Sequence, residues 1–160
     1  MLVLYIIGSL LLFAADQLSK LIICKLVQPV HTVALWQNVF HLTYLENRGA
    51  AFGILQNKFG FFYIVTVLVI VAITVYIVKK RPRSRCLNVS LTLLAGGALG
   101  NFADRLFRGY VVDFLDFRFI NFPVFNLADC FVVCGAFLLA AYIIFLEGKG
   151  KKSMEISKTE

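Results

Sequence analysis

Three carboxylates stand close together in an apolar part of the chain: Asp104 in Gly97-Ala-Leu-Gly-Asn-Phe-Ala-Asp-Arg105, Asp113 in Val111-Val-Asp-Phe114, and Asp129 in Phe125-Asn-Leu-Ala-Asp129. A fourth, Asp16, lies in an earlier apolar run, with Lys20 four residues on. An aspartate at the centre of a membrane helix costs about 2.5 to 3.5 kcal/mol even on the lenient insertion scale, so such residues mark a functional site by default. Their natural chemistry is acid–base. Two carboxyls within about 3 Å cannot both ionise, so the pair shares a proton and leaves one base and one acid. Such a dyad activates a water against a peptide carbonyl while protonating the carbonyl oxygen, without metal or covalent intermediate.

Other chemistries find less support. His31 and His41 show no obvious carboxylate partner, and neither His-x-x-x-His nor Cys-x-x-Cys occurs, so no metal and no cofactor are expected. Cys24, Cys86, Cys130 and Cys134 read as small apolar packing residues. There is no Gly-x-Ser-x-Gly, and Ser19 and Lys20, adjacent on a helix, point apart. Membrane carboxylates also mark proton paths, which keeps a proton- or ion-coupled small membrane transporter as the alternative. That reading requires acidic residues at several depths and matching halves, and the sequence displays neither. A lipid-binding scaffold would use the cluster for packing alone.

The elements that position these residues follow from composition. The 160 residues are 60% hydrophobic and 16% charged, with mean hydropathy +0.83, too apolar for a soluble domain of this size. Phe59 to Val78 holds no charge at all, and at about 1.5 Å per residue it crosses a hydrocarbon core of about 30 Å. The expectation is an all-α polytopic membrane protein, one domain over 1–160, with spans near 2–24, 59–78, 87–106 and 125–146 and a disordered tail at 147–160. The first run could pass for a secretory signal ending at Phe13-Ala-Ala15, but it lacks a basic start and resumes after Asp16-Gln-Leu-Ser-Lys20. Lys20 reads as a snorkelling residue at a helix end, able to pair with Asp16. Between the first two spans, Val39 to Leu45 alternates like a half-buried strand, with Phe40, Leu42 and Tyr44 on one face and His41 and Thr43 on the other. Gly49 and Gly53 then suit a turn. Gly96 and Gly100 form a small-xxx-small pattern for close helix packing. Phe107 to Val124 reads as a second external loop.

The net charge of +7 does not imply nucleic acid, because the basic residues cluster beside apolar runs. Lys79, Lys80, Arg81, Arg83 and Arg85 form one group and Lys149, Lys151, Lys152 and Lys158 another, as expected of cytoplasmic segments. With both groups and both termini inside, Asp16, Asp104, Asp113, Asp116 and Asp129 all gather near the outer membrane face. Local context separates them: Asp104 reads as held by Arg105 and Asn101, whereas Asp113 and Asp129 have no adjacent cation, which suits raised pKa values. Asp116 is an outsider that could replace Asp113.

Five blocks, Asp16-Gln-Leu-Ser-Lys20, Asn47-Arg-Gly-Ala-Ala-Phe-Gly53, Gly97 to Arg105, Val111 to Phe114 and Phe125 to Asp129, resemble in order and spacing the signatures of bacterial lipoprotein signal peptidase, signal peptidase II. The resemblance covers Asp16 to Gly135. It implies an intramembrane aspartic endopeptidase of the bacterial cytoplasmic (inner) membrane, with four transmembrane helices and a small extracytoplasmic β-containing cradle at Lys25 to Lys58. It further implies removal of prolipoprotein signal peptides before the diacylglyceryl-modified cysteine, with Asp113 and Asp129 catalytic. Asp16, Lys20, Asn47, Gly49, Asn101, Asp104, Arg105, Asn126 and Ala128 match positions that shape or line the site, and the loop after Asp113 matches a mobile lid. Cys130 departs from the pattern, where a hydroxyl residue is expected. The implied partners are diacylglyceryl-modified prolipoproteins and membrane lipids, with the chain acting as a monomer.

Overall fold

Ile64 and Leu68 are 64% and 62% exposed, while Asp16, Lys20 and Asn126 are each 0% exposed. Apolar side chains outside and polar ones inside is the pattern of a chain whose solvent is lipid. The computed structural model describes residues 2–50, 54–120 and 122–146. The expected tail at 147–160 and Ala51, Phe52 and Gly53 lie outside them. Among the described residues, four helices are long and apolar enough to cross a membrane: α1 (Leu2–Leu26), α2 (Phe59–Lys80), α3 (Arg85–Arg108), and α4 (Leu127–Ala141) with its π-helical last turn (Tyr142–Leu146). The same residues include three strands, β1 (Thr32–Trp36), β2 (Phe40–Asn47) and β3 (Val111–Phe117), and a short 3-10 turn at Gln28–Val30.

The helix ends are written locally. Arg81 takes a left-handed conformation (φ 45°, ψ 55°) ahead of Pro82 and stops α2. Ser84 then caps α3, its Oγ accepting from the Leu87 N–H at 3.4 Å. Gly109, with φ +74°, ends α3 where a side chain would be strained. The chain turns straight into β3, so part of the expected external loop is a strand.

Helices α1 and α3 run parallel and meet along matching rows four residues apart. A Cβ on Gly96 would lie 2.6 Å from Leu12 Cβ, one on Gly100 would lie 2.5 Å from Asp16 Oδ2, and one turn on Lys20 pairs with Asp104. Helix α4 runs antiparallel to α3 and is as close: a Cβ on Gly97 would collide with the Ala128 carbonyl, and one on Gly135 would meet Ser90 O at 2.9 Å. The expected small-residue seam therefore has two sides, with α1 on one and α4 on the other. Helix α2 packs Ile73 and Ile77 against Leu87, Leu91 and Ala95 of α3.

The sheet is antiparallel in the order β1-β2-β3. Leu42 pairs with Leu115 and Leu45 with Asp113, so β2 spends three residues where β3 spends two. This bulge inverts the alternation of β2. Without it Asn47 would share the face of His41 and Thr43; with it, Asn47 lands on the face of Asp113. His41 is also buried, against the expectation that only its opposite face packs.

Candidate active site

One end of the bundle holds the buried charged residues and Asn126, brought there by α1, α3, β3 and the start of α4. The innermost group is an ion cluster. Lys20 Nζ lies 2.9 Å from both Asp16 Oδ2 and Asp104 Oδ2, all three side chains being fully buried. Lys20 does not snorkel. Burial of charge is tolerable only when lone pairs and protons are otherwise satisfied. Here Asp16 Oδ1 accepts from the Ala128 N–H at 2.9 Å, and Asp104 Oδ2 accepts from the Val112 N–H at 3.1 Å. Asp16 thereby ties α1 to the first turn of α4, and Asp104 ties α3 to β3.

Lys20 also donates to Asn101 Oδ1 at 3.0 Å. Asn126 Nδ2 donates to the same oxygen at 3.1 Å. With its carbonyl fixed by two donors, the Asn101 amide must present its NH2 elsewhere, and it donates to Asp129 Oδ1 at 2.7 Å. Asn126 is the N-cap of α4: its Oδ1 accepts from the Asp129 N–H at 3.0 Å, and Asp129 Oδ2 accepts from the Asn126 N–H at 3.1 Å. This reciprocal capping box sets the carboxyl of Asp129 at a helix N-terminus.

Asp113 is reached from the other side. Asn126 Nδ2 donates to its Oδ1 at 2.6 Å, and Asn47 Nδ2, delivered by the bulged β2, donates to its Oδ2 at 2.9 Å. Asn126 thus donates to both Asp113 and Asp129, and the two carboxyls belong to one network. Burial first, then the negative charge of Asp129, pushes the Asp113 carboxyl up to about 7. The expected loop-borne aspartate is therefore a strand-borne one, and β3 continues through Phe117 where a mobile lid is implied.

Two other expectations are corrected. Asp104 is not held by Asn101 and Arg105; its partners are Lys20, Gln17 at 3.3 Å and Arg108 at 3.7 Å. Arg105 instead donates to Gly49 O at 2.9 Å and lies 4.2 Å over the Phe62 ring, pinning the segment after β2 above the site. Asp116 stays apart, on the opposite face of β3, paired with Arg118 at 2.9 Å and accepting from Thr43 at 2.7 Å. Although its partial burial acts the other way, those two partners hold its carboxyl below the ordinary range. Gln17 is the site residue that the sequence reading missed. It bridges Asp16, Gly100 O and Asp104, and an amide within an apolar run was the available signal.

Beside Asp129 opens an apolar groove of about 500 Å³, lined among others by Phe122, Phe125, Cys130, Val133 and Cys134. The two cysteines border open space and do not fill a core. The groove suits a hydrocarbon chain or an apolar helix laid along α4, with its polar end at the aspartates.

Four apolar spans closed around a buried polar centre define a multi-pass membrane protein with a carboxyl pair in one network. The family profile Peptidase_A8, signal peptidase (SPase) II, matches residues 8–145. The chain is 47% identical over 134 residues to a lipoprotein signal peptidase of Caldanaerobacter subterraneus subsp. tengcongensis, covering 83% of this chain and 90% of that one. It is 45% identical over 148 residues to that of Clostridioides difficile, covering 92% and 99%. A solved structure described as a bacterial membrane enzyme, obtained by the in meso method at 2.3 Å, superposes with TM-score 0.82 at 33% identity, over 92% of this chain and 90% of that one. The chain belongs to the signal peptidase II family and is a peptidase.

Proposed function

We propose that this peptidase is an intramembrane aspartic endopeptidase that cuts prolipoprotein signal peptides before the diacylglyceryl-modified cysteine, with Asp113 and Asp129 as its catalytic pair. The observation that carries the reading is the double donation by Asn126, which binds the two carboxyls into one unit. A carboxyl near 7 still carries its proton in about half of the molecules at neutral pH, so Asp113 is assigned as the acid and Asp129 as the base. Water gives a proton to Asp129 as its oxygen bonds to the scissile carbonyl carbon, and the proton of Asp113 goes to the carbonyl oxygen. Collapse of the resulting diol breaks the C–N bond. The departing amine takes the proton from Asp129, and a diol hydroxyl returns one to Asp113.

The apolar groove at Asp129 supports a substrate that is itself embedded in lipid, either as a signal helix or as acyl chains. The basic residues Lys79 to Arg85 lie at the bundle end opposite the aspartates, which supports a site near the extracytoplasmic face with both termini in the cytoplasm. The test is cleavage of a lipidated precursor by purified Asp113→Asn and Asp129→Asn variants. Each is expected to lose about 10² to 10⁴ of the rate while keeping the elution profile and melting temperature of a folded protein. Full activity in either folded variant would refute the pair.

A further inference from the structure

At the end remote from the aspartates, α1 and α3 leave a second groove, of about 820 Å³, on the outer side of their seam. Its walls are apolar: Leu4 and Leu11 of α1 and Val89 of α3 are exposed, and Leu93 closes one side. The floor is tight, because a Cβ on Gly8 would come within 2.8 Å of Thr92 Cγ2. The rim is different. Arg83 and Arg85 both border the groove and are exposed, and neither has a carboxylate within ion-pairing distance among the described residues. Asn88 fixes this corner by donating to Pro82 O at 2.9 Å. Apart from the Leu87 N–H that Ser84 caps, the first turn of α3 adds its N–H groups and the positive end of its dipole at the same place.

We propose that this groove is a binding site for one anionic phospholipid, an acyl chain lying between α1 and α3 and the phosphate held by Arg83, Arg85 and the start of α3. The site is separate from the proposed catalytic centre and does not depend on it; only the choice of the cytoplasmic leaflet follows from the orientation given above. Charge decides the occupant. Basic pockets between transmembrane helices recognise anionic headgroups. A signal peptide carries a positively charged start, which two arginines would repel.

The test is native mass spectrometry of the purified protein reconstituted with equal amounts of phosphatidylglycerol and phosphatidylcholine. The protein is expected to retain phosphatidylglycerol in roughly tenfold preference, and Arg83→Gln/Arg85→Gln is expected to remove that preference. Val89→Trp, which fills the groove and leaves the arginines in place, is expected to release the bound lipid. Inorganic phosphate at millimolar concentration should not displace it. Equal retention of both lipids by the unaltered protein, or a preference surviving the double substitution, would overturn the proposal. Unchanged retention in Val89→Trp, or displacement by phosphate alone, would reduce the site to surface adsorption and refute the acyl groove. Displacement by a signal peptide would assign the groove to substrate and refute it equally.

Discussion

Asp113 and Asp129 are held in different ways, and the proposed division of labour follows from that difference. Asp129 sits inside a helix cap and accepts from a main-chain N–H and from Asn101. Asp113 sits in a strand, nearly fully buried, with two amide donors as its neutral partners. Under the proposed mechanism the protonated form of Asp113 is the productive one, so the alkaline limb of the rate falls as pH rises through about 7. Asn47 stabilises the charged form, so its removal should raise the Asp113 pKa further. In Asn47→Ala the alkaline limb of kcat/KM should therefore move to higher pH by up to roughly one unit, the worth of a hydrogen bond of about 1 kcal/mol. A limb that stays in place, whatever the loss of rate from a loosened turn, would detach Asn47 from the titrating group. The partners of the carboxyls were the part least legible from sequence. Spacing offers neighbours at i±1, i±3 and i±4, and so joins Asp104 to Arg105 and Asn101. Its true partner, Lys20, arrives from another helix, and nothing local announces it.

At the scale of elements, the site exists because backbones approach closely on both sides of α3. Gly97 faces the Ala128 carbonyl, and Gly60 at the start of α2 has nothing among the described residues within 4 Å of where a Cβ would stand. Gly97→Ala is expected to force α4 away and cost about 1 to 3 kcal/mol, lowering the melting temperature and dragging Asp129 from Asn101. Gly60→Ala should be neutral or gain up to about 1 kcal/mol from helix propensity. Equal melting temperatures for the two variants, read in the same detergent, would refute the packing argument. The glycine spacing was legible because close helix packing needs small residues at four-residue intervals. The strand β3 was not, for a physical reason: Val111, Val112, Asp113 and Phe114 are all buried, so the segment shows no alternation. The bulge in β2 was equally silent. Both lie exactly where Asn47 and Asp113 must meet, and tertiary pairing alone sets that register.

For the whole molecule, the division between lipid-facing and inward-facing residues was readable throughout, since twenty-residue apolar runs have few other uses. Orientation rests on a different quantity, the placement of Lys and Arg. The loop between α2 and α3 carries Arg81 and Arg83 between the helix-terminal Lys80 and Arg85, whereas the β1–β2 turn at Gln37 and Asn38 carries no charge. The proposed orientation rests on this contrast: it sets the sheet and the loop on opposite sides of the membrane, with the loop in the cytoplasm. In a background lacking all four native cysteines, Asn38→Cys should react in intact cells with a membrane-impermeant maleimide. Ser84→Cys should react only after the membrane is opened. The reverse pattern would move the carboxyl pair to the cytoplasmic side, where the chain would meet precursors before their signal helices had crossed. Labelling of both positions in intact cells would show that α2 and α3 do not form a closed hairpin across the bilayer. With the proposed orientation, the apolar groove beside Asp129 opens into the outer half of the membrane. A lipid-anchored cysteine arriving there could enter sideways, without leaving the bilayer to reach the aspartates.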